Sequence, residues 1–220
     1  MRVLLLLRHA VTEHTGARLS GWTAGLHLSE AGREQAVGLA ERLEPVPVDA
    51  VYASPLERCQ ETAAVLAEAK GLKVTALEDV GEVRYGDWTG RTLKELARER
   101  LWKVVQATPS AARFPEGESL FEMQARAVLA TERLREAHPK QTVAVCSHAD
   151  VIKALVCHYL GMHLDLFQRV VVGPASVTAI GFGPVPYLLR LNDTGGNGDL
   201  APPKRARRRR TKGEADRAQP

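Results

Sequence analysis

The chain has 220 residues, 45% hydrophobic and 25% charged, the composition of one globular domain long enough to bury a core without staples. Its formal net charge of +4 is uneven: eight basic and two acidic residues in 201–220 put +6 there and leave −2 on the rest. Three cysteines, Cys59, Cys146 and Cys157, have no metal-ligand spacing and an odd count, which excludes a disulfide framework and fits a reducing compartment.

The run Val3-Leu4-Leu5-Leu6-Leu7, ended at once by Arg8-His9, reads as a short buried strand over 3–8. It is too short for a signal-peptide core, and no stretch approaches the roughly 18 apolar residues of a membrane span. A cytoplasmic protein with no membrane partner is expected. An amphipathic helix follows over 29–43, stopped before Pro45, then strands over 48–53 and 73–78. Between those two strands, Ser54-Pro55-Leu56-Glu57 reads as a helix start, with a hydroxyl three residues before an acid and proline at the first helical position. The same hydroxyl-to-acid spacing opens helices at Thr92-Leu93-Lys94-Glu95, closed by Thr108-Pro109, and at Ser119-Leu120-Phe121-Glu122, closed by His138-Pro139. A strand over 142–147 leads into Ser147-His148-Ala149-Asp150, again with the spacing of a capping box, and a helix ended by Gly161. Strands over 176–182 and 187–192 complete the set.

Strand–helix alternation predicts an α/β fold: a three-layer α/β/α sandwich, with a mainly parallel sheet of about six strands and helices on both faces. Residues 1–194 read as one domain carrying a helical lid insertion at about 80–140. Residues 195–220 read as a glycine-rich boundary and a basic tail without apolar periodicity, expected to be disordered. Such a tail attracts nucleic acid electrostatically, but it holds no aromatic residue for base stacking and no known binding fold. Nucleic acid is therefore not expected as a partner, and a homodimer is left open.

Four segments should meet at the carboxyl ends of the strands, where α/β sheets bind ligands. Arg8-His9 places a cation and a nucleophile there, although alone such a pair is more often a surface feature. Arg58, in the first turn after Ser54, adds a guanidinium to a helix N-terminus, a clamp for phosphate or carboxylate if it is not simply exposed. Glu82, in the glycine-bracketed loop from Gly81 to Gly90, is a general acid or a solvated carboxylate. His148, delivered by a buried strand to a helix start, is a cap or a functional group. Together, two His, two Arg and one Glu suit phosphoryl transfer through a phosphohistidine, with the Glu serving as acid and then as base. That chemistry calls for no metal and no cofactor.

These segments resemble the histidine phosphatase superfamily, branch 1, with the phosphoglycerate mutase-like fold. The resemblance rests on Arg8-His9-Ala10-Val11-Thr12, on Ser54 through Arg58 to Thr62-Ala63, on Glu82 through Trp88 to Gly90, on Pro115-Glu116-Gly117-Glu118-Ser119, and on Ser147-His148. Asn192-Asp193-Thr194-Gly195-Gly196 is further similar to a bacterial subgroup named as phosphomutases. The resemblance implies that His9 is the phosphorylated nucleophile, that Arg8, Arg58 and His148 hold the phosphoryl group, and that Glu82 is the proton donor. Thr15, Arg84 and Tyr85 are further candidate substrate-binding positions, with Arg91, Arg113 and Glu118 as other lid candidates.

Three places depart from the family pattern. Ala10, with an extra methyl that should crowd a ligand, replaces a common Gly, and Thr15 replaces a common Asn. Gly25-Leu26-His27-Leu28-Ser29 keeps only the Leu-Ser end of a common Asp-x-Pro-Leu-Thr. Trp88 and a compact lid favour a phosphatase acting on a small phosphorylated metabolite over a mutase. A reading of another class, an inactive scaffold that binds through the basic tail, leaves Glu82 without a purpose.

Overall fold

In the computed structural model, which describes residues 1–196, the expected elements form a single six-stranded sheet. The strands are β1 (Val3–Arg8), β2 (Ala50–Ala53), β3 (Val74–Ala76), β4 (Thr142–Ser147), β5 (Val177–Phe182) and β6 (Pro186–Asp193). Their order is β3-β2-β4-β1-β5-β6. The pairs β3–β2, β2–β4 and β4–β1 are parallel, whereas β1–β5 and β5–β6 are antiparallel, so the sheet is mixed. The expected basic tail lies outside the described residues from 197 onward.

The helices are α1 (Glu30–Arg42), α2 (Glu57–Ala69), α3 (Leu93–Leu96), α4 (Arg100–Ala107), α5 (Leu120–Ala137) and α6 (Ala149–Tyr159). Side chains alternate across a strand, so β1 and β4 feed two cores. Leu4, Leu6, Val143 and Val145 pack with Met123 and Ala127 of α5 and with Ile152 and Leu155 of α6. Leu5, Leu7, Ala144 and Cys146 face the other way, onto Leu39 of α1 and Leu66 of α2. Strands buried on both faces read as the continuous apolar runs seen in the sequence.

The capping signals divide. Thr92 and Ser119 close true capping boxes with Glu95 and Glu122. At Ser54 and Ser147 the expectation is corrected: α2 starts at Glu57 and α6 at Ala149, and neither serine caps its helix. Both hydroxyls go to tertiary partners, Ser54 Oγ to His148 Nε2 at 2.9 Å and Ser147 Oγ to the Val80 carbonyl at 2.7 Å. The single helix expected from Thr92 to Thr108 is two: the backbone at Glu99 is extended (φ −72°, ψ 143°), and its carboxylate pairs with Arg91 at 2.6 Å and makes no cap hydrogen bond to α4. Of the span 80–140, α5 is a core helix of the sandwich, and the part preceding it runs past the mouth of the cleft.

Candidate active site

Strand register assembles the site. Arg8 pairs with Ser147 across the parallel β1–β4 ladder, and the His9 amide continues it by donating to the Ser147 carbonyl at 3.0 Å. The next residues, His9 and His148, therefore leave adjacent strands side by side, with ring centroids 5.2 Å apart. On the other side of β4, the Ser54 amide donates to the Cys146 carbonyl at 2.9 Å, which sets the start of α2 against His148. Arg58, one residue into α2, is 1% exposed. Its Nη2 donates to the Gly21 carbonyl at 2.8 Å and lies 3.3 Å from His148 Nδ1.

Tautomers follow from the partners. His9 Nδ1 sits 2.7 Å from the Ala10 carbonyl, which can only accept, so Nδ1 carries the proton and Nε2 presents a lone pair. Guanidinium can only donate, so His148 Nδ1 accepts from Arg58 and Nε2–H donates to Ser54 Oγ. Burial, followed by the charges of Arg58 and Arg8, lowers the His9 pKa to about 3. The same causes hold His148 well below the ordinary histidine range. Both imidazoles are neutral at neutral pH.

Glu82 enters from the loop after β3. Its Oε1 accepts from the Val83 amide at 3.0 Å and its Oε2 lies 3.6 Å from His148 Nδ1. Burial, and then the like charge of Asp150, raise its pKa to about 7 against the pull of Arg58. The loop is held from behind. Trp22 Nε1 donates to the Glu82 carbonyl at 2.7 Å, as does Arg126 Nη2 at 2.9 Å, and Arg126 is clamped bidentately by Glu118. Gly86 sits at φ 53°, and a Cβ there would meet the Pro115 carbonyl at 2.0 Å, so the loop can approach residues 115–117 only as glycine.

The raised pKa has a consequence for stability. Glu82 holds its proton in the fold where the unfolded chain, near pH 4.5, releases it. Folding stability from this group is full below that value and is lost as pH rises to about 7. Glu82→Gln cannot titrate. Its melting temperature should gain on the parent's between pH 5 and 7 by several degrees, then hold that lead, in thermal melts across pH.

A cleft of about 390 Å3 opens onto this cluster, lined by Arg8, His9, Arg58 and Glu82. Arg58 is built for an anion: its Nε and Nη1 are buried without a hydrogen-bond partner among the described residues, as is Arg8 Nε. Unpaired buried guanidinium N–H groups are costly unless a ligand completes them. Among the described residues, no group of three or more His, Cys, Asp or Glu side chains could hold a metal ion. None of their helices is long and apolar enough to cross a membrane.

Of the outer positions, Tyr85 lines the cleft and donates to Asp150 Oδ2 at 2.9 Å. Thr15 also lines it, with its Oγ1 accepting from the Thr12 amide at 2.9 Å. Arg84 does not: it stacks on Trp22 at 4.2 Å and pairs with Glu78 at 2.8 Å, outside the cleft. Arg91, Arg113 and Glu118 are engaged with Glu99, Glu122 and Arg126. The Ala10 methyl does not crowd the cleft, because Ala10 is fully buried in the core beneath α1 and α2. Sequence reading missed Asp150, Lys153 and Gln168, which line the far wall of the cleft. The spacing of Asp150 and Lys153, three apart on the helix after His148, was the available signal.

A family model described as the histidine phosphatase superfamily (branch 1) matches residues 4–194. Phosphoserine phosphatase 1 of Hydrogenobacter thermophilus is 34% identical over 182 residues, covering 80% of this chain and 85% of its own. The protein named "Probable phosphoglycerate mutase GpmB" of Erwinia tasmaniensis is 28% identical over 191 residues, covering 86% and 88%. Among solved structures, a mycobacterial glucosyl-3-phosphoglycerate phosphatase with VO3 superposes with a TM-score of 0.80 at 27% identity, covering 88% of this chain and 100% of that one.

Proposed function

From a chain that belongs to branch 1 of the histidine phosphatase superfamily, we propose hydrolysis of a small phosphate monoester through a phosphohistidine on His9. The observation that carries this reading is the meeting of a neutral His9, free at Nε2, with the unpartnered N–H groups of Arg58. His9 Nε2 attacks phosphorus; the N–P bond forms as the P–O bond to the leaving alcohol breaks. Arg8, Arg58 and His148 stabilise charge on the equatorial oxygens. Glu82, protonated up to about pH 7, gives its proton to the leaving oxygen and then takes one from water, whose attack breaks the N–P bond and frees His9.

The test is phosphate release from a panel of monoesters in excess EDTA. For alkyl esters, kcat/KM should fall as pH rises through about 7, because the acid loses its proton. A bound phosphate dianion raises the Glu82 pKa further, so the fall in kcat should lie at higher pH. Glu82→Gln should slow alkyl esters by about 10²- to 10⁴-fold and activated aryl esters much less. Equal losses on both would remove Glu82 from the acid role.

A phosphomutase reading draws on the relatives named as phosphoglycerate mutases. Isomerisation of a phosphoglycerate faster than phosphate release would establish it.

A further inference from the structure

A second space lies beside the cleft. It has a volume of about 230 Å3, larger than the roughly 150 Å3 that suffices to hold benzene in a dry protein cavity. Trp88, Trp102, Phe114 and Val105 line it. Trp88 and Phe114 meet edge to face at 5.4 Å, and Trp88 and Trp102 stand 6.3 Å apart. Six residues line both spaces: Leu19, Tyr85, Leu93, Asp150, Lys153 and Gln168. The two spaces are therefore neighbours that meet at these side chains.

The polar groups at the junction satisfy one another. Tyr85 donates to Asp150 at 2.9 Å, Lys153 reaches Asp150 at 3.4 Å and Gln168 at 3.3 Å, and Gln168 donates to the Val105 carbonyl at 3.3 Å. No charged side chain other than these lines the annex. A purely polar leaving group would leave this annex empty, or wet with few partners. An aromatic ring would bury apolar surface against other rings at favourable stacking geometry.

Resting on the phosphatase reading, we propose that the aromatic annex binds the leaving-group side of the substrate and selects esters whose alcohol carries an aryl-sized apolar group. Arg8, His9 and Arg58 line the cleft and not the annex, so the ring is joined to the phosphate through a short spacer. The determinants are Trp102 and Val105 on α4, which the phosphate itself does not reach.

Calorimetric titration of the His9→Ala protein with 3-phenylpropyl phosphate and with glycerol phosphate tests this without requiring turnover. The aryl ester should bind at least about tenfold more tightly. Val105→Trp, which fills the annex, should collapse that ratio toward one, and so should Trp102→Ala, which removes one stacking wall and covers the case of a poorly folded first variant. Equal affinity for the two esters, or a ratio that both variants leave unchanged, overturns the annex. Turnover of the same esters by the parent protein is measured in parallel. If no ester is hydrolysed, the phosphatase reading falls while the affinity ratio still decides the annex.

Discussion

His9→Ala should lower phosphate release by about 10⁴-fold or more, because it removes the group to which phosphorus is transferred. No neighbour can take over. His148 presents Nδ1 to Arg58 and commits its Nε2 proton to Ser54, and Cys59 is fully buried. The fold should survive, since the His9 side chain makes one hydrogen bond, to the carbonyl of its own neighbour. Melting curves that match the parent's, together with loss of acid-labile label from radioactive substrate, would assign the phosphohistidine to His9. Retained labelling would move the nucleophile elsewhere.

Arg58→Ala should cut kcat/KM by about 10³-fold and abolish competitive inhibition by inorganic phosphate. Its Nε and Nη1 are buried donors without a partner among the described residues, and in the proposed reaction phosphate would be their partner in ground and transition states alike. Removing the charge also lets the His9 pKa rise, since Arg58 is the largest charge lowering it. Burial, the larger cause, remains, so the added loss should appear only on the acid side, as a less depressed imidazole starts to protonate at higher pH than in the parent. Arg58→Lys should recover little, because an ammonium cannot serve the Gly21 carbonyl, His148 and a phosphate together. A variant that merely melts earlier while binding phosphate normally would make Arg58 a structural residue.

The fold class and the central cluster were legible because three of the key segments directly follow strands that read as apolar runs. Arg8-His9 ends β1, Ser54 follows β2, and His148 follows β4. Local patterns misled where a distant partner outcompeted a nearby one. Ser54 and Ser147 carry the spacing of capping boxes, yet their hydroxyls bind His148 and Val80 across 94 and 67 residues. Arg84 and Tyr85 are neighbours in one loop, and the contacts with Trp22 and Glu78 turn the arginine outward. Asp150 looked like a helix cap, and its true neighbour, Tyr85, lies 65 residues away.

The strand order also dictates when the enzyme can exist along its folding route. β4 slots between β2 and β1, and it comes after both in the chain, so the contacts of His148 with Ser54 and Arg58 close loops of 94 and 90 residues. Long-range insertion of this kind is slow compared with helix formation. A nascent chain that has released only β1 through β3 holds Arg8, His9 and Arg58 but neither His148 nor the β4 ladder to align them. In refolding from denaturant, far-UV ellipticity should return well before phosphatase activity, with turnover reporting arrival of the last parallel strand.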